Sequence, residues 1–112
     1  MFEKLAQIRE RYAALRKRLE DPALYADPAQ AARLLREEKE LQPLMEAFSA
    51  WEKARDDARA AEELSHDPDG ELRALALQEL SDARSEIARR ESQLRLLLLP
   101  RERDDDKSVI VE

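Results

Sequence analysis

Few side chains in this 112-residue chain could perform chemistry: it has one histidine, one glycine and no cysteine. It contains neither threonine nor asparagine. His66 and Gly70 share one turn, Ser65-His66-Asp67-Pro68-Asp69-Gly70. A Ser-His-Asp arrangement would have to take its base from there, where a lone histidine is ordinarily neither a ligand nor a pH switch. Zinc ribbons, HExxH sites, CxxC pairs and a cysteine nucleophile are all excluded. A single glycine cannot build a GxGxxG turn or a phosphate loop, which need several close backbone approaches. Asp104-Asp105-Asp106 has the composition of a cation site, but adjacent carboxylates of this kind form a solvated, self-repelling spacer. We assign no catalytic residue, no metal and no cofactor within residues 1–112, and expect no enzyme activity from them alone.

Binding chemistry is better represented. Arg9, Arg11, Arg16, Lys17 and Arg18 concentrate positive charge on one short stretch of a chain whose net charge is −6. They are the candidate contacts for an anionic partner. The plainer alternative is a solvated helix face, with bases near its C-terminus favoured by the helix dipole. The acidic total argues against a generic nucleic-acid binder, because phosphate neutralisation needs a basic surface. Phe48 and Trp51 could face a partner, since tryptophan is enriched at hot spots. With five aromatic residues in the chain, a core role is the stronger expectation.

These residues must be positioned by helices. Leu, Ala, Glu, Lys and Arg make up 72 of the 112 residues, a long-helix composition. The five β-branched residues include Val109, Ile110 and Val111, so strand is expected only at the C-terminus. Leu5, Ile8, Tyr12, Leu15 and Leu19 recur at helical spacing and define a first helix that stops at Asp21-Pro22. Leu24 and Tyr25 are expected to pack in the linker. Asp27-Pro28-Ala29-Gln30 reads as an N-cap with a capping box. The second helix should kink or break briefly around Leu41–Pro43, since an internal proline costs about 3 kcal/mol. It then continues through Leu44, Phe48, Trp51, Ala54, Ala58 and Ala61 to Leu64, with alanines admitting a close neighbour.

After the 65–70 turn, Leu72, Ala76, Leu80, Ala83, Ile87, Leu94 and Leu98 mark the buried face of a third helix that Pro100 should end. The fold expected is all-α: a long antiparallel helical hairpin, an additional N-terminal helix and a C-terminal stub of a β-strand. Residues 1–100 would form the helical domain, 101–107 a charged linker, and 108–112 the start of a truncated second domain. Residues 1–20 carry no signal-peptide run, and the longest apolar run, at Leu96–Pro100, is far too short for a membrane span. A soluble, cytoplasmic protein is expected.

The junction carries a family resemblance. Leu96-Leu97-Leu98-Leu99-Pro100, then Asp104-Asp105-Asp106-Lys107, then Val109-Ile110-Val111-Glu112 resemble the same passage in the bacterial peptide chain release factor 1 family. The Asp-Pro helix start, the proline-interrupted middle and the Asp-Pro turn are similar in order, so the likeness spans the chain. Release factor 2 is the near alternative, with a Leu-Ser-Gly-type segment at its junction. The resemblance implies a parent that reads UAA and UAG stop codons and promotes peptidyl-tRNA hydrolysis on the ribosome. Its Pro-x-Thr and Gly-Gly-Gln motifs cannot occur in a chain without threonine and with one glycine, so no residue role transfers. What remains is contact with the large-subunit GTPase-associated region, for which Arg9, Arg11, Arg16, Lys17 and Arg18 are candidates. The competing reading is a stand-alone helical-hairpin adaptor unrelated to translation. Self-association through exposed apolar stripes is a further possibility for either.

Overall fold

A computed structural model describes the backbone of residues 1–111 and the side chains of residues 1–99. Its elements are α1 (Phe2–Leu19), a 3-10 helix η1 (Pro22–Ala26), α2 (Pro28–Leu64) and α3 (Gly70–Val111). Every one of these elements is a helix, with no strand among the described residues. They fall into two compact units, Met1–Glu46 and Ala47–Glu112, and α2 contributes to both.

In the first unit, α1 buries the expected stripe: Leu5, Ile8 and Leu15 are buried, while Tyr12 and Leu19 are half-buried. Helix η1 is held by Asp21, whose carboxylate accepts the Ala23 N–H at 3.0 Å, with Pro22 at a position where its missing donor costs nothing. Leu24 packs into the core as expected. Tyr25 does not: its ring is 50% exposed, tethered by its hydroxyl donating to the Leu19 carbonyl at 2.7 Å. Asp27 caps α2 by accepting the Gln30 N–H at 3.3 Å. The reciprocal half of the capping box is not made, because the Asp27 N–H already bonds the Leu24 carbonyl at 3.0 Å.

The expected break at Pro43 does not occur; α2 runs unbroken across it. Proline removes one donor to the Lys39 carbonyl. Burial of Leu41 and Leu44 on either side, worth about 1.5–3 kcal/mol each, offsets that loss.

In the second unit, the turn is a chain of side-chain caps. Ser65 Oγ donates to the Glu62 carbonyl at 2.6 Å. The Asp69 N–H donates to the Asp67 carboxylate at 2.8 Å. Asp69 in turn accepts the Glu71 N–H at 2.9 Å and so caps α3. Gly70 is the first residue of that helix and has no positive φ. A Cβ there would meet only the Arg73 guanidinium at 3.7 Å, so Asp69, not Gly70, is the residue this turn requires.

Ala54, Asp57, Glu79 and Ala83 line one groove. Ala54 lies ten residues before the end of α2, and Ala83 lies thirteen after the start of α3. At 1.5 Å per residue they could meet only if the helices fold back antiparallel, as expected. Ala54, Ala61, Ala76, Leu80 and Ala83 are buried. Leu72, expected in the buried face, is 44% exposed, because α2 has ended by that level.

Two expectations at the C-terminus are corrected. Pro100 does not end α3, and the stretch expected as a strand is helical as far as Val111. A lone strand without a partner leaves its backbone groups unpaired, whereas a helix satisfies them internally. The Arg, Glu and Lys residues of 101–107 are good helix formers. Glu112 lies outside the described residues.

Candidate functional site

The five basic residues of α1 differ in their surroundings. Arg11 closes a two-pronged pair on Glu37 of α2, with Nε to Oε2 and Nη2 to Oε1 both at 2.8 Å. The hydrogen bond and then the charge of Glu37 raise the Arg11 pKa further above its already high value. Arg16 lies 3.7 Å from Glu38 and 5.7 Å over the Tyr12 ring. Arg18 donates to Gln30 Oε1 at 3.0 and 3.2 Å when that amide is oriented to accept. Lys17 is exposed and Arg9 half-buried. Much of the strip is thus committed to holding α1 against the start of α2. Glu37 and Glu38 were not singled out from sequence; the available signal was two adjacent acids on a second helix able to answer two bases on the first.

Phe48 is buried at 6% exposure and stacks on Trp51 with ring centroids 6.1 Å apart. Trp51 itself is half-buried, and the Arg55 guanidinium covers its face at 5.0 Å. A cation over an indole face contributes about 0.5–1 kcal/mol at partly exposed sites. This places the aromatic pair at the edge of the core, as a roofed element and not an open patch. His66 sits with Arg59, Glu62 and Glu63 around a shallow cleft of about 280 Å³.

The largest concavity among these, about 540 Å³, runs between α2 and α3 within the hairpin. Ala54, Ala60 and Ala83 form its low ground, where small side chains let the helices approach. Asp57, Glu79, Asp82 and Glu86 stand around it. Asp57 pairs with Lys53 at 2.9 Å, one turn away, and the bond raises the Lys53 pKa. Glu86 pairs with Arg90 at 2.6 Å and Arg89 at 2.8 Å. Hydrogen bonds from Arg90 and then Arg89 hold its carboxyl below the usual range. Asp82 accepts only a neutral amide, Gln78 Nε2 at 3.1 Å. Among the described residues no cation pairs with Glu79 or Asp82. Sequence reasoning missed this groove, because its walls come from two helices whose register is set by the turn.

Among the described residues no cluster of His, Cys, Asp or Glu is arranged to hold a metal ion. Among the described residues no helix is long and apolar enough to cross a membrane. What the molecule offers is surface: paired charge on the first unit and an acid-walled groove on the second.

Comparison with known proteins gives that surface a context. Proteins named peptide chain release factor 1 are similar over the whole chain: 35% identical in Acidobacterium capsulatum, 37% in Caldicellulosiruptor bescii and 36% in Geobacter sulfurreducens. The chain spans 31–32% of the length of these relatives. No solved structure matches it significantly. The PCRF domain family matches residues 8–112, nearly the entire chain. With that coverage, the chain belongs to the PCRF domain family.

Proposed function

We propose that this chain is the N-terminal helical domain of a cytoplasmic bacterial translation release factor of the release factor 1 type. It contacts and positions the factor on the ribosome and takes no part in its chemistry. The observation that carries this reading is the PCRF match over residues 8–112, together with whole-chain similarity to relatives that share one name. Stop-codon reading and peptidyl-tRNA hydrolysis belong, in this reading, to parts of the parent that the chain does not contain. The composition agrees: a chain with one glycine and no threonine cannot hold Gly-Gly-Gln or Pro-x-Thr. Residues 1–100 make up the domain and 101–107 its charged connector.

The partner is the ribosome at the large-subunit GTPase-associated region. Of the basic candidates on α1, Lys17 and Arg18 are exposed and pair with no carboxylate among the described residues, so they supply most of the contact. Arg11 and Arg16 serve first to join α1 to α2 through Glu37 and Glu38.

Co-pelleting with ribosomes tests this, using a chimera in which the chain replaces the corresponding third of the Geobacter sulfurreducens relative. Lys17→Glu with Arg18→Glu is expected to weaken association about tenfold at low salt, an effect that fades as salt screens exposed charge. Association unchanged by that pair of reversals would remove the α1 contact from the reading. The isolated chain is expected to release no peptide from terminating ribosomes; release above background would overturn its non-catalytic role.

A further inference from the structure

We propose that the groove between α2 and α3 is a docking site for a short basic amphipathic helix of a partner protein. On α3, Leu75, Glu79, Asp82 and Glu86 follow the 4, 3, 4 spacing of one helix face. On α2, Asp57, Ala60 and Leu64 follow the same kind of spacing. The groove joins Asp57 and Ala60 to Glu79, Asp82 and Glu86. Continuing both faces toward the turn leads to Leu64 and Leu75. These two leucines are 45% and 63% exposed. The trough is therefore apolar along its alanine floor and acidic along its walls, and the same helix faces continue beyond its lining to two exposed leucines at the turn end.

The occupant follows from charge and size. Asp57 and Glu86 are answered by Lys53, Arg89 and Arg90 from their own helices. Glu79 and Asp82 are not answered by a cation among the described residues, although like charges three apart on a helix repel. A cationic partner relieves that repulsion, whereas a phosphate backbone would add to it, so a protein segment and not RNA fits here. From Leu75 to Glu86 the wall is about 16 Å long, matching about eleven residues of helix. The complementary segment has an apolar end seated against Leu64 and Leu75, then Lys or Arg one turn apart facing Glu79 and Asp82. This is recognition of an amphipathic helix in a groove, with charge setting its direction. It uses residues outside α1 and stands or falls separately from the ribosome contact proposed above.

The test uses the 112-residue chain and a synthetic helical peptide of about a dozen residues, with leucines at one end and lysines at i, i+4 spacing. Backbone amide shifts on titration are expected to concentrate in residues 54–64 and 75–86. Glu79→Gln with Asp82→Asn should weaken binding about tenfold, the size expected for two exposed charge pairs. Leu75→Ser should weaken it by a similar factor through lost apolar contact, and a peptide with Glu for Lys should not bind. Each variant is exposed, and circular dichroism checks that it stays helical. The proposal is overturned if neutralising Glu79 and Asp82 changes affinity less than twofold, or if the shifts centre on α1. It is equally overturned if single-stranded RNA alone shifts the amides of 54–64 and 75–86, or if those amides shift with chain concentration as sedimentation shows a dimer forming.

Discussion

The two units solve the same packing problem with different side chains. Met1–Glu46 is held by leucines and isoleucine, with Leu5, Ile8, Leu15, Leu24, Leu34 and Leu41 buried. The hairpin stretch of the second unit is held largely by Ala54, Ala61, Ala76 and Ala83. Charge is handled differently too. In the first unit, ion pairs run between helices, Arg11 to Glu37 and Arg16 to Glu38. In the second, Lys53 to Asp57 and Glu86 to Arg89 and Arg90 each lie on one helix. Large side chains with cross-helix pairs fix one helix onto another. Small side chains with intrahelical pairs bring helices close and leave their acidic rims facing outward, which is where a groove opens.

The largest expected effect tests the leucine side of this contrast. Leu15→Ala, at a position 1% exposed, should cost about 2–5 kcal/mol of unfolding free energy, read from urea unfolding. Next, Ala61→Leu, also 1% exposed, should destabilise by about 1–3 kcal/mol through overpacking. If Ala61→Leu is neutral while Leu15→Ala is costly, the hairpin is looser than its alanines imply. A double-mutant cycle on Arg11 and Glu37 should give a coupling of about 0.2–1 kcal/mol. That value is small because Arg11 is 51% exposed and solvent screens the pair, and it should shrink with salt.

The smallest effect is a titration. Glu86 has a depressed folded pKa, so its stabilising contribution is full above the ordinary carboxylate range. That contribution is lost as pH falls through the depressed value. Carboxyl chemical shifts should place the Glu86 midpoint below 4.5, and Arg90→Gln should move it back toward that figure.

Much of this fold was legible in sequence because helical periodicity is local. The 3/4 spacing of Leu5, Ile8 and Leu15, the Asp27 cap and the hairpin turn each depend on a few neighbouring residues. At Pro43 the expectation of a kink or a short break weighed a local cost without the burial of Leu41 and Leu44, and no break occurs. Val109, Ile110 and Val111 misled because β-propensity describes fit to a sheet, and no partner strand exists among the described residues. Tyr25 was expected to pack and instead hydrogen-bonds at the surface. The candidate sites were less legible than the fold. That Arg11 meets Glu37, or that Glu79 and Asp82 line one groove with Asp57, depends on register between helices, which no single helix encodes.

In the proposed function this chain contributes contact and not chemistry. Single-turnover peptide release at a UAA codon tests it most directly, using the chimera described above and its Lys17→Glu, Arg18→Glu variant across factor concentrations. The same saturating release rate is expected for both, with about tenfold more variant needed to reach half of it. A saturating rate that falls about tenfold while the half-saturating concentration stays put would contradict the claim.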